Sequence, residues 1–150
     1  MKLTRLISNS EFKMTRKISL VCLDVGEKRI GVAVGDNAVR IAVPLETIPV
    51  DGSEVNSIKK IVEDEGTDIL VVGYPRNQSG EPTAQTDFVT GFVDSLKNVI
   101  NVKVVFQDES LTSVIAEQRL QSFKKPYAKS DIDAMAAAII LQDFIEANYA

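Results

Sequence analysis

The chain has 150 residues, a formal net charge of −4 and a pI near 4.9; that length suits one domain, and 45% apolar with 25% charged residues is an ordinary balance for a globular protein. With Cys22 as the only cysteine and no histidine, an intrachain disulfide, the Ser-His-Asp and Cys-His catalytic sets and His-based metal sites are excluded. The acidic balance argues against strong non-specific nucleic-acid binding, and no apolar run reaches the roughly 20 residues of a membrane span. The expectation is a soluble, cytoplasmic protein with no membrane partner. Its chemistry must rest on carboxylates, Lys, Tyr or backbone, and carboxylates with water are the preferred ligands of Mg2+ and Mn2+.

Residues 1–17 are mixed in character and too polar for the apolar segment of a signal peptide. They are expected to be an N-terminal extension, disordered or lying upstream of a start at Met14, and the domain is expected to span 18–150. Ile18–Leu23 reads as a buried strand ending at Asp24, with Cys22 as a small core residue. Val25–Lys28 is a tight turn, and Arg29–Gly35 returns as the second strand of a hairpin. Ala42–Ile48 is a third strand, placed at an edge by Pro44. Ser53–Glu65 reads as a helix on the spacing of Val55, Ile58, Ile61 and Val62, stopped by Gly66. Asp68–Gly73 is a buried strand and Tyr74–Pro82 a loop. Thr83–Asn98 is a helix whose apolar stripe is Phe88, Phe92, Val93 and Leu96. Val102–Phe106 is a strand ending at Gln107-Asp108-Glu109; Thr112–Phe123 is a helix, Lys124–Lys129 a basic loop, and Ser130–Asn148 a last helix. Three hairpin-connected strands followed by alternating helices and strands predict an α/β fold: a five-stranded mixed sheet, antiparallel first and then extended by parallel strands, with helices on both faces.

Three acidic positions stand out. Asp24 closes the first strand, where α/β folds place their sites, although Asp beside Gly is equally a turn residue. Asp108 and Glu109 close the last strand; upstream acids also suit the start of the next helix. Asp133 shares a helix face with Ala136, Ala137, Ile140, Leu141 and Phe144, all apolar. Ser130 and Asp133 also fit a capping box, and Asp131 competes for the same first turn. Were these carboxylates to converge they would repel one another unless cations neutralised them, and a divalent metal is the economical partner.

The segment Asp24-Val25-Gly26-Glu27-Lys28-Arg29-Ile30-Gly31-Val32-Ala33 resembles the opening motif of the YqgF (RuvX) family. Ala42–Ile48 resembles its third strand, Val71-Val72-Gly73-Tyr74-Pro75-Arg76-Asn77 with Gly80 its G-x-P-x-x-x-x-G loop, Asp108–Ser113 its D-E-R-x-T-T/S motif, and Asp133–Gln142 its closing helix. The ordered similarity covers essentially Ile18 to Ile145. It implies an RNase H-like nuclease, ascribed either to processing of the 5′ end of pre-16S rRNA in ribosome biogenesis or to Holliday-junction resolution. The acids carried over by this resemblance, as catalytic residues and metal ligands, are Asp24, Glu109 and Asp133, with Asp108 and Asp131 supporting. The implied chemistry is hydrolysis of a phosphodiester with Mg2+ or Mn2+, in a two-metal arrangement. Ser110 stands where the family usually has Arg, a group that would be available for a phosphate or for steadying the carboxylates.

Candidate contacts to nucleic acid are Lys28 and Arg29 at the first turn, Arg76 and Asn77 in the loop, Arg119, and Lys124, Lys125 and Lys129 around Tyr127. Each has a bland alternative in a solvated loop or hairpin tip. The partner is expected to be pre-rRNA or branched DNA, and the protein a monomer or homodimer. A non-catalytic ribosome-assembly or nucleic-acid-binding factor is the alternative reading. An actin-like phosphotransferase is disfavoured because the chain lacks a second Asp-x-Gly hairpin.

Overall fold

The structure, a computed structural model, describes residues 16–75, 81–109, 112–123 and 126–149, with backbone alone at 112–114. Strands β1 (Ser19–Val25), β2 (Arg29–Asp36), β3 (Val43–Pro49), β4 (Ile69–Pro75) and β5 (Lys103–Glu109) form one sheet in the order β3-β2-β1-β4-β5. The β1–β2 and β2–β3 pairs are antiparallel, and the β1–β4 and β4–β5 pairs are parallel. This is the mixed five-stranded sheet that the sequence predicts. The β1–β2 turn is closed by the Gly26 N–H, which donates to the Arg29 carbonyl at 3.0 Å; a Cβ at Gly26 would press on that oxygen at 2.8 Å.

Strand alternation sorts the apolar side chains onto two faces. Val21, Leu23, Val25, Ile30, Val32, Leu70 and Val72 pack beneath helices α1 (Glu54–Asp64) and α2 (Ala84–Lys97). Leu20, Cys22, Ala33 and Val71 pack beneath α4 (Lys129–Tyr149) with Ala137, Ile140, Leu141 and Phe144. Helix α3 (Thr112–Ser122) packs on α4 through Ala116, Ala136 and Ile139. At the β3 edge, Val43 and Leu45 are exposed. A register shift between Val32 and Ala33, with Pro44 and Pro49, roughens this edge against pairing with another chain.

Several boundaries differ from the sequence reading. Strand β4 continues through Tyr74 and Pro75, and β5 through Glu109, because parallel register persists to Pro75↔Glu109; Glu109 is thus part of the sheet rather than beyond it. Phe88, expected in the apolar stripe of α2, is 37% exposed, and the inward positions are Thr86, Val89, Val93 and Leu96. The reason is the start of the helix. Thr83 and Thr86 form a reciprocal capping box, and the Thr86 hydroxyl donates to the Pro75 carbonyl at 2.5 Å, which sets the rotation of the helix on the end of β4. Helix α4 begins at Lys129, so Ser130 does not cap it toward Asp133; the Asp131 carboxylate instead accepts the Ala128 N–H at 2.8 Å.

Arg16 and Lys17, from the expected N-terminal extension, touch the fold. Arg16 pairs with Asp68 at 3.2 Å and Lys17 with Asp36 at 3.8 Å; residues 1–15 lie outside the described residues. Among those residues, no helix is long and apolar enough to cross a membrane.

Candidate active site

Asp24, Gly73 and Glu109 keep the parity of Cys22, Val71 and Val105, so all three look toward α4. Gly31 stands directly across from Asp24 in the β1–β2 register. A Cβ at Gly31 would collide with the Asp133 carbonyl and its neighbouring backbone. The first turns of α4 therefore lie directly on the sheet at this point, and no side chain fits between them. That close approach delivers Asp133 to the strand ends.

Gly73 plays the matching part on β4. A Cβ there would collide with Oε2 of Glu109 and meet the Ile140 Cδ1 at 2.8 Å. The Glu109 carboxylate thus folds back over the bare backbone of Gly73, toward Asp24 and under α4. A glycine within an otherwise apolar strand is the sequence signal for such an approach. The chain just after Asp24 is fixed by Gln85, whose Nε2 donates to the Val25 carbonyl at 3.0 Å; the sequence carries no evident sign of that contact.

The electrostatics follow from this crowding. Asp24 is largely buried, and burial together with the nearby charge of Asp133 pushes its pKa up to about 6. Glu109 is pushed to about 8, first by burial and then by Asp24. Beneath them the thiol of Cys22 is raised by burial and by both carboxylates. Asp24 therefore links the three acids, since Asp133 acts on it and it acts on Glu109. Asp133 is also held by Arg29, whose Nε donates to Oδ2 at 2.6 Å.

The three acids do not close into a metal cage in this conformation: among the described residues, no group of three His, Cys, Asp or Glu side chains could hold one ion. The donor chemistry nonetheless fits Mg2+ or Mn2+. Two desolvated carboxylates whose charged forms are disfavoured by burial and by a neighbouring acid are stabilised by a cation, and Mg2+ is commonly held by one or two carboxylates together with water and substrate phosphate. Asp24 and Glu109 are the pair that would hold it, with Asp133 adjacent.

The other expected residues scatter. Asp108, beside Glu109, has the opposite parity and lines a cleft on the α2 side. Asp131 is spent on the start of α4. Arg29 faces Asp133, and Lys28 is exposed at the hairpin tip. Arg119 lies near Asp143, whose carboxyl it lowers against the stronger upward push of burial and Glu146; ten helical residues separate that position from Asp133, about 15 Å along the axis. Lys129 is exposed at the first position of α4. Arg76, Asn77, Lys124, Lys125 and Ser110 lie outside the described residues.

A family model described as "RuvX: Holliday junction resolvase" matches residues 18–147. The chain belongs to the RuvX family. Its relatives include a "Putative pre-16S rRNA nuclease" of Chloroflexus aggregans, 44% identical over 134 residues and covering 87% of this chain and 94% of the relative. A protein of the same description from Rickettsia typhi is 38% identical, covering 85% of each chain. Among solved structures, RuvC of Thermus thermophilus in complex with a Holliday-junction substrate is similar at a TM-score of 0.53 and 15% identity, over 87% of this chain and 94% of that one. The fowlpox virus resolvase with Holliday-junction DNA reaches 0.52 at 13% identity, over 87% and 98%. The RuvX fold here is thus RNase H-like, shared with these resolvases well below the identity at which the sequences alone would align securely.

Proposed function

We propose that this RuvX-family chain is a metal-dependent nuclease that hydrolyses phosphodiester bonds in structured nucleic acid. The 5′ end of pre-16S rRNA is the favoured substrate, and a four-way DNA junction is the second. The observation that carries this reading is the desolvated Asp24–Glu109 pair at the C-terminal ends of β1 and β5, where the charge of Asp24 raises the proton affinity of Glu109 and that of Asp133 raises Asp24. Such a pair is poorly explained by stability alone, since burying two like charges opposes folding, and perturbed carboxylates at strand ends are a mark of functional sites.

When bound, Mg2+ or Mn2+ would supply Lewis-acid stabilisation of the phosphoryl oxygens. The protein's own part is to hold the acids. Gly73 lets Glu109 lie flat on the sheet, Gly31 lets α4 bring Asp133 down, and Gln85 anchors the strand end behind Asp24. Arg29 steadies Asp133 and offers its remaining guanidinium N–H groups to a phosphate. The test is a cleavage panel of pre-16S RNA and four-way DNA junctions, with and without Mn2+, comparing the wild-type chain with Asp24→Asn, Glu109→Gln and Asp133→Asn. Metal-dependent cutting that vanishes in the three variants supports the assignment; undiminished cutting by all three refutes it. Binding to pre-rRNA with no cleavage under any metal would instead favour an assembly factor on an inherited nuclease fold.

A further inference from the structure

On the reverse face of the strand that carries Glu109 lies an open cleft of roughly 500 Å3, lined by Tyr74, Thr90, Phe106, Gln107 and Asp108. That volume falls within the range of about 300–1,000 Å3 found for small-molecule sites. Its floor is aromatic: Tyr74 and Phe106 meet edge to face, with ring centroids 5.1 Å apart. Phe106 is 41% exposed, although its parity places it on the face that α1 and α2 cover elsewhere in the sheet. The aromatic floor is edged by the Thr90 hydroxyl and the Asp108 carboxylate, with Gln107 between Phe106 and Asp108 on the strand.

A large apolar ring left open beside groups that both donate and accept hydrogen bonds suits a planar, polar-edged partner. The position narrows the choice. Strand β5 is the edge of the sheet, so the cleft and the Glu109 carboxylate are separated only by the thickness of one strand, and Asp108 of the cleft adjoins Glu109 in sequence. A nucleic-acid strand whose phosphodiester sits at Asp24 and Glu109 can pass over this edge. Base stacking is, beside phosphate contacts, the large source of affinity for unpaired strands.

We propose that this cleft receives one unpaired nucleobase of the bound nucleic acid, stacked on Phe106, on the strand that crosses the β5 edge to the carboxylates. The proposal rests on the nuclease reading above and adds a preference: the favoured substrate carries an unpaired nucleotide next to the cut. Because the Thr90 hydroxyl both donates and accepts, and stacking is indifferent to base identity, the cleft tolerates more than one base.

The test uses the full chain carrying Asp24→Asn, so that the probe stays whole, and a stem-loop oligonucleotide with a single-stranded flank, in RNA and DNA versions. 2-Aminopurine is placed at successive flank positions. The expected result is a change in fluorescence confined to one position on binding. In that background Phe106→Ala should abolish the change and weaken binding by about 5- to 100-fold, the range of one lost base–aromatic stack. Phe106→Leu, which keeps apolar bulk without a ring, should behave like the alanine variant and guards against a folding artefact. A probe with an abasic nucleotide at the responsive position should bind equally to the chain with Phe106 intact and to the Phe106→Ala variant. Binding with no position-specific signal, or an equal loss for basic and abasic probes, overturns the cleft and leaves the nuclease reading standing. Failure of the chain with Phe106 intact to bind any probe removes both.

Discussion

Replacing Glu109 with Gln should stabilise the protein at alkaline pH while removing the proposed activity. The wild-type carboxylate has an ordinary pKa near 4.5 and is raised to about 8 in the folded chain by burial and by Asp24. The folded state therefore holds this proton more tightly than the unfolded chain does. Its contribution favours folding at low pH and is lost progressively as pH rises from about 4.5 to about 8. At about 1.4 kcal/mol for each pH unit of that window, the loss is at most about 5 kcal/mol. Part of it belongs jointly to Asp24, so relieving one acid also relieves the other. Near pH 5 the neutral acid and the amide are close in size and charge, and Glu109→Gln should leave stability within about 1 kcal/mol of wild type. Near pH 9 the variant should be more stable by about 2–4 kcal/mol in metal-free buffer. Urea unfolding followed by circular dichroism at both pH values measures the difference. A variant with the same pH profile as wild type would refute the existence of a buried, mutually repelling pair.

Mg2+ or Mn2+ should raise the Tm of the wild-type chain more near pH 9 than near pH 5, where protons compete for Asp24 and Glu109, and the rise should disappear in Asp24→Asn; differential scanning fluorimetry reads this directly. Gly31→Ala should lower stability by about 3 kcal/mol or more in urea unfolding, because the new methyl group meets rigid backbone at Asp133. Gly73→Ala should be milder in denaturant, about 1–3 kcal/mol, because the Glu109 side chain can swing away, yet it should abolish cleavage and the metal-induced rise in Tm. Arg29→Gln should change stability by only about 1 kcal/mol, as its ion pair is partly exposed, while reducing cleavage through a misplaced Asp133.

Much of the fold was legible because burial is written in the periodicity. The runs around Val21 and Val71 are apolar on both faces, as central strands must be, and Pro44 marked the edge. The failures have a common physical origin in tertiary contact. Thr86 bonds to Pro75, a residue on another element, and so turns Phe88 outward in a helix whose own pattern suggested the reverse. The placement of Asp24, Glu109 and Asp133 near one another followed from the resemblance of their motifs. Their unequal coupling did not, since it depends on how far Glu109 leans over Gly73 and on Arg29 reaching Asp133. The aromatic cleft was also invisible, because Tyr74 and Phe106 were read as a loop residue and a buried strand end. Only the parallel register of β4 and β5 shows that they are neighbours.

The contact between Arg29 and Asp133 joins residues 104 positions apart in the chain, and this separation has a consequence in time. During synthesis the β1–β2–β3 meander can pair as soon as it is made, since its contacts are local. The first acid and its arginine are thus in place early. The edge strand bearing Glu109 comes much later, and Asp133 arrives only with the last helix. Long-range closures of this kind form late in folding, so a partly made chain carries an incomplete set of acids. If these residues cut RNA, the ribosome that is building this protein is spared an active nuclease until Asp133 has emerged and docked.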